Sequence, residues 1–175
     1  MLVKASPTNK NDIYRIWKDL FSHDDHGSID FFFEHYYDDC QTYILKENNQ
    51  IISGVCVFHH PIHLKNKIIE VSYLVGIFTV EKYQQQGYMK QLLSEVLDIE
   101  SHQTLMTILM AYNPKVYQSF GFKPFVDHQL VKLNASMLVP VSTMNITYQI
   151  SSQQLLLAYQ RFMRYFDGYK VRTVE

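Results

Sequence analysis

Directly after an apolar run at residues 71–80 the chain reads Glu81-Lys82-Tyr83-Gln84-Gln85-Gln86-Gly87-Tyr88-Met89-Lys90 and passes at once into a helical pattern. A buried strand that enters a Gly-bearing turn and then a helix points unpaired backbone N–H groups and the positive helix end at one spot. Such a spot binds an anion, most often a phosphate. The helix reading rests on Met89, Leu92, Leu93, Val96 and Leu97, which share one helical face, while Lys90, Gln91, Ser94, Glu95 and Asp98 fall elsewhere. An ordinary strand-to-helix turn has the same pattern, so the loop alone does not assign a ligand.

A second segment follows at residues 113–124, preceded by the apolar run 105–111. Asn113 suits a helix N-cap, Pro114 the first helical position, and Gly121 the left-handed residue that ends a helix after about two turns. Together the two segments resemble the GNAT acetyltransferase superfamily, whose pyrophosphate loop reads Gln/Arg-x-x-Gly-x-Gly/Ala and whose later helix carries a Tyr followed by Phe-Gly-Phe. The corresponding positions are Gln84, Gly87 and Met89, then Tyr117, Phe120, Gly121 and Phe122. Met89 stands where a second small residue is usual, Gln84 where Arg is frequent, and Glu81 where Pro is common. The Gly-Tyr-Met ending is similar to the subgroup related to the enhanced-intracellular-survival (Eis) acetyltransferases, in which a second domain follows the first.

The resemblance implies an α/β (α+β) GNAT fold, with a mixed central sheet of about six to seven strands flanked by helices on both faces. It implies acetyl-coenzyme A as cosubstrate. Main-chain N–H groups of Gln85, Gln86, Gly87, Tyr88, Met89 and Lys90 would cradle the pyrophosphate, with Gln84 opening the same cofactor loop. Ile77, Phe78 and Thr79 would hold the pantetheine arm, and Asn113 would either bond to the arm or serve as a cap. Tyr117 would supply the hydroxyl that protonates the departing thiolate.

A lysine-like amine with pKa of about 10.4 is mostly protonated at pH 7, and unmasking it costs roughly 4–5 kcal/mol, which a general base helps to supply. Glu70, at the start of the long strand, is the candidate base, acting through a bridging water; its plain reading is a solvated strand-end charge. In the superfamily the segment after the first helix often shapes the acceptor pocket. Here that implies Asp24, Asp25 and Glu34, whose clustered carboxylates favour a cationic, small-molecule amine. Two readings stay open beside catalysis: a non-catalytic acyl-coenzyme A-binding or regulatory module, and a fragment of a larger Eis-like enzyme.

The elements that must position these residues are legible in outline. Residues 2–5 read as a strand, and Ile13, Ile16, Trp17, Leu20 and Phe21 form the stripe of a first helix. A second helix is expected at 30–37. Hairpins follow through residues 47–50 and 65–67, delivering the long strand 68–80. Ser151 and Gln154 form a capping box for a last helix with an apolar face at Leu155, Tyr159, Phe162 and Phe166, ended by Asp167-Gly168. The expected organisation is an acetyltransferase domain at 1–134 and a C-terminal extension at 135–175 with one amphipathic helix.

Length and composition bound the rest. At 175 residues, 47% hydrophobic and 14% aromatic, the chain is the size of one domain with a substantial core. Its net charge of −1 gives no basic face for nucleic acid. Its apolar runs fall short of the roughly 20 residues needed to span a bilayer, and no secretion signal opens it. Cytoplasmic location with reduced Cys40 and Cys56 is expected, and a homodimer is consistent with base rates. The clusters His59-His60-Pro61-Ile62-His63 and His23–His26 lack zinc spacing, so no metal is expected.

Overall fold

The computed structural model describes residues 1–124 and 149–174. Its elements follow in the order β1 (Leu2–Lys4), α1 (Lys10–Phe21), α2 (Ser28–His35), β2 (Gln41–Glu47), β3 (Gln50–Leu64), β4 (Lys67–Thr79), α3 (Tyr88–Ser101), β5 (Met106–Leu109), α4 (Ser152–Met163) and β6 (Tyr169–Lys170). The sheet runs β1-β2-β3-β4-β5, with β6 also pairing with β3. Every pairing is antiparallel except β4–β5, which the crossover through α3 makes parallel. This is the mixed, helix-flanked sheet that the sequence predicts. The two hairpin turns are real: Asn48 and Asn49, then Lys65 and Asn66, all take positive φ, the backbone that matches the twist of tight hairpins.

Alternation along the strands fills two cores. On one face, Tyr43, Leu45, Val55, Val57 and Leu74 pack against Leu92, Leu93 and Val96 of α3. On the other, Ile44, Cys56 and Phe78 meet Ile13 and Trp17 of α1 and Ile29 and Phe33 of α2. Each fully buried aliphatic side chain contributes about 1.5–3 kcal/mol. The amphipathic stripes of three helices are thereby all spent on the sheet.

Two irregularities in β4 open the sheet at one end. Cys56 pairs with Val75 while Gly54 pairs with Phe78, so β4 carries one extra residue there, a bulge. Gly76 sits in it at φ +59. The parallel ladder to β5 covers only Val71–Leu74 against Met106–Leu109. Beyond Leu74 the rest of β4 has no β5 partner among the described residues, so the two strands part and leave a gap.

Two expectations change. Residues 114–120 form a 3-10 helix rather than an α-helix. Asn113 does cap it, its side chain accepting from the Lys115 N–H at 3.2 Å. The segment then closes with i→i+3 bonds from Val116 to Asn113 and from Gly121 to Gln118, and a run this short gains little from i→i−4 bonding. The last helix keeps its Ser151–Gln154 capping box but ends at Met163, and Asp167 instead accepts the Lys65 N–H at 2.7 and 2.8 Å across the β3–β4 turn. The expected boundary at 134–135 lies outside the described residues. No helix among the described residues is long and apolar enough to cross a membrane.

Candidate active site

A cleft of about 530 Å³ opens where β4 runs into α3. Ile77, Phe78 and Thr79 form one wall, Gln84, Gln85, Gly87, Tyr88, Met89 and Lys90 the end, and Ser119 and Phe120 the other side. Nine residues singled out in the sequence thus converge on one surface. Ser119 was not singled out, and Phe120 was read only as part of the Tyr-x-x-Phe motif and not as lining the cofactor site.

The end of the cleft presents backbone donors. Gly87 takes φ +87 as the residue before α3 and has no side chain with which to cap the helix. The first intrahelical bond runs from the Gln91 N–H to the Gly87 carbonyl, so the N–H groups of Tyr88, Met89 and Lys90 precede the ladder and remain available. The helix dipole adds its positive end at the same place. The loop before it is braced from within: the Gln84 amide donates to the Thr79 carbonyl at 3.1 Å, and Gln86 to the Lys82 carbonyl at 2.9 Å. Gln86 therefore supports the turn and does not itself line the cleft. A Cβ on Gly87 would meet no atom within 4 Å, so the glycine is required by its backbone angle, which L residues adopt at a cost.

Other expected site residues fall at varying distance. Tyr117 is half-buried, meets Phe122 edge-on at 6.1 Å and packs against the core under α3. Burial pushes its phenol up from the usual range, so it stays protonated. It is not among the residues that line the cleft. Glu70 is exposed and pairs with Pro61 near the opposite end of β4. Seven residues separate it from Ile77, roughly 23 Å of extended strand, so the fold does not bring it to the cleft. Asp25 accepts the Ile29 N–H at 2.7 Å and lies 2.6 Å from the Lys18 ammonium. Lys18, and then the Ile29 N–H, hold its carboxyl below the usual range. Lys18 also meets Asp30 at 2.8 Å. Glu34 is exposed, 3.8 Å from His35. Asp24 ends the short 3-10 turn Ser22–Asp24.

Strand alternation sends the adjacent His59 and His60 to opposite faces of β3. His59 meets Glu100 at 2.7 Å, while His60 approaches Lys170 at 3.3 Å. Among the described residues no group of three or more His, Cys, Asp or Glu is placed to hold a metal ion. Glu100 is a residue that spacing alone did not single out. It is 1% exposed on α3 and accepts from Tyr43 at 3.1 Å and Ser72 at 2.7 Å as well as contacting His59. Its signal was present: position 100 continues the apolar stripe Met89, Leu92, Val96, and a carboxylate on such a stripe must find donors.

The comparisons with known proteins agree with this architecture. Among solved structures, a probable N-acyltransferase of unknown function from Enterococcus faecalis aligns with TM-score 0.62 and 14% identity, over 69% of this chain but only 31% of that one. The present chain thus spans under a third of that longer protein. AAC(6')-Iy in complex with the bisubstrate analogue CoA-S-monomethyl-acetylneamine gives TM-score 0.60 and 16% identity, over 77% of this chain and 98% of that one. A predicted acetyltransferase from Clostridium acetobutylicum, solved with acetyl-CoA, gives 0.57 and 19%, over 79% and 97%. At such identities these likenesses establish the fold. No curated protein matches the sequence. The acetyltransferase (GNAT) domain family matches residues 3–125, and with the larger part of the chain inside that match, this protein belongs to the GNAT acetyltransferase family.

Proposed function

We propose that the chain transfers an acetyl group from acetyl-coenzyme A to a primary amine by direct attack in a ternary complex. The observation that carries this is the cleft: an uncapped helix N-terminus with three available N–H groups at one end, and at the other a stretch of β4 released from β5. Tyr88, Met89 and Lys90 would take the pyrophosphate, each charge-assisted bond contributing about 1.5–3 kcal/mol. The free edge of β4 at Ile77, Phe78 and Thr79 would pair with the amides of the pantetheine arm. The amine nitrogen attacks the thioester carbon, the C–N bond forms and the C–S bond breaks. The nitrogen then sheds a proton to solvent, the thiolate gains one from the Tyr117 hydroxyl, and the phenolate left behind is reprotonated from solvent. Met89 would contribute through its backbone N–H, which its side chain does not alter, while Gln84 braces the loop, its N–H donating to the Glu81 carbonyl at 3.1 Å and its amide to Thr79.

For the acceptor, a small cationic amine remains our reading. The bisubstrate complex of AAC(6')-Iy supports it by showing an amine-bearing small molecule joined to coenzyme A on a related fold. Glu34 is the exposed acid available to such a cation, whereas Asp25 would have to release Lys18. We read the chain as a relative of the N-terminal domain of Eis-like enzymes, acting in the cytoplasm. That Tyr117 does not line the cleft supports a second reading, a module that binds acyl-coenzyme A without turning it over.

Titration calorimetry with acetyl-coenzyme A, followed by a thiol-release assay over a panel of small amines, separates these. Saturable binding that Gly87→Trp abolishes is the expected outcome, because a side chain at φ +87 deforms the loop and projects into the anion site. Binding without release of thiol on any amine would favour the module. Tight binding by Gly87→Trp would remove the loop from the cofactor site.

A further inference from the structure

The chain has two cysteines, sixteen positions apart, and the fold brings their sulfurs together. Cys56 lies in β3, fully buried in the core under α1 and α2, and its ladder partner on β2 is Thr42. Cys40 follows the 3-10 turn Tyr37–Asp39 and is already extended, at φ −103 and ψ 153. Two residues before Thr42 in an extended chain, it falls on the same face of the sheet. The Thr42 hydroxyl reaches both sulfurs, 3.5 Å from Cys40 Sγ and 3.3 Å from Cys56 Sγ. The two thiols also hydrogen-bond each other, and both are free.

The pair is asymmetric. Cys40 is half-buried, whereas Cys56 has no exposed surface. The bond from Cys56, working against some desolvation and joined by one from Thr42, holds the Cys40 thiol below its usual range, while burial pushes Cys56 well above it. An accessible thiolate beside a second, protonated thiol is the arrangement of an oxidant-sensing cysteine and its resolving partner. We propose that Cys40 and Cys56 are a reversible, peroxide-sensitive pair, in which Cys40 is oxidised to a sulfenic acid and Cys56 resolves it to an intramolecular disulfide. The pair stands whatever the cleft binds.

The steps balance. The Cys40 thiolate attacks one oxygen of hydrogen peroxide, the S–O bond forms and the O–O bond breaks. The departing hydroxide takes up the proton that Cys40 had released and leaves as water. The sulfur of Cys56 then attacks the sulfur of Cys40, the S–S bond forms, the S–O bond breaks, and the hydroxyl leaves as a second water with the Cys56 proton. The two thiols give up two electrons and peroxide gains them; a dithiol reverses the change and is itself oxidised to a disulfide.

Closure also moves the backbone. Cys40 and Cys56 sit on a diagonal of the β2–β3 ladder, where Cα atoms are about 7–8 Å apart, and a disulfide needs less than about 7 Å. Cys40 is the partner free to shift, because the ladder begins only at Gln41–Val57. On its other side Cys56 pairs with Val75, next to Gly76. The new bond therefore ties the turn after α2 to the strand beside the β4 bulge.

Mass spectrometry of the folded wild-type protein, treated with hydrogen peroxide and then alkylated with iodoacetamide in denaturant, reads the pair directly. The untreated protein takes an alkyl group on each cysteine; the treated protein takes none, is lighter by two hydrogens, yields a peptide linking Cys40 to Cys56, and regains both sites on dithiothreitol. In Cys56→Ala, dimedone traps the sulfenic acid at Cys40, and in Cys40→Ala, Cys56 remains open to alkylation after the same exposure. Native-state alkylation labels Cys40 ahead of Cys56. Both thiols still alkylated in the treated wild type, a disulfide joining two chains, or a sulfinic acid at Cys40 with Cys56 free overturns the pair, and labelling in the reverse order overturns the role of Cys40 as the attacking thiol.

Discussion

At the level of single residues, the acid and the base suggested by the sequence fare differently in the structure. Tyr117 has the chemistry of a proton donor: burial raises its pKa, so the phenol remains protonated through neutral pH and can hand a proton to a thiolate whose pKa is near 8.5 by analogy to cysteine. Tyr117→Phe should lower kcat by roughly tenfold to a hundredfold, the low end of general acid catalysis because that thiolate leaves readily, with the Kd for acetyl-coenzyme A unchanged. An unaltered rate would remove Tyr117 from the mechanism. Glu70 is different, since its distance from the cleft along β4 is too great for one bridging water. Glu70→Gln should leave kcat/KM within about twofold, the range of a surface change away from the transition state; a loss of a hundredfold would mean that the acceptor reaches the base by a route the cleft does not reveal.

At the level of elements, local signals were legible and long-range ones were not. Gly87, the stripe of α3 and the Ser151–Gln154 cap depend on neighbours a few residues apart, and each was readable from spacing. The donors to Glu100 come from β2, β3 and β4, so its burial depends on tertiary register that no short window contains. The place of Glu70 was not legible for the same reason: a strand has two ends, and only the fold decides which one faces the cleft. Gly76 did carry a signal, because a glycine inside a strand pattern marks a bulge or a close approach, and here it marks both. That reading predicts a definite cost. Gly76→Ala places a Cβ inside the Trp17 ring and keeps an L residue at φ +59, so overpacking and backbone strain together should destabilise the fold by about 2–4 kcal/mol. Urea unfolding followed by the fluorescence of Trp17 measures this; an unchanged midpoint would mean that α1 does not press on the bulge.

At the level of the whole molecule, the sheet separates two cores that share one vulnerability. Tyr37 lies in the core under α1 and α2, stacked on Phe33 at 4.7 Å, and Tyr43 lies in the core under α3 with its hydroxyl donating to Glu100. Burial pushes each phenol to about 12, and for Tyr43 the charge of Glu100 adds to it. A group whose pKa is higher in the folded state stabilises that state fully below its unfolded pKa of about 10 and loses the contribution as pH climbs toward the folded value. Stability should therefore be flat through neutral pH and fall steeply between about pH 10 and 12, with tyrosinate absorbance rising as the fold opens. Tyr37→Phe keeps the stacked ring and removes one titrating hydroxyl, so it should flatten part of the alkaline fall while leaving the midpoint at neutral pH nearly unchanged. The same alkaline loss in the variant would mean that the phenol of Tyr37 is reached by water in the folded protein, and that the core under α1 and α2, on which Trp17 and the bulge of β4 depend, is more open than its packing indicates.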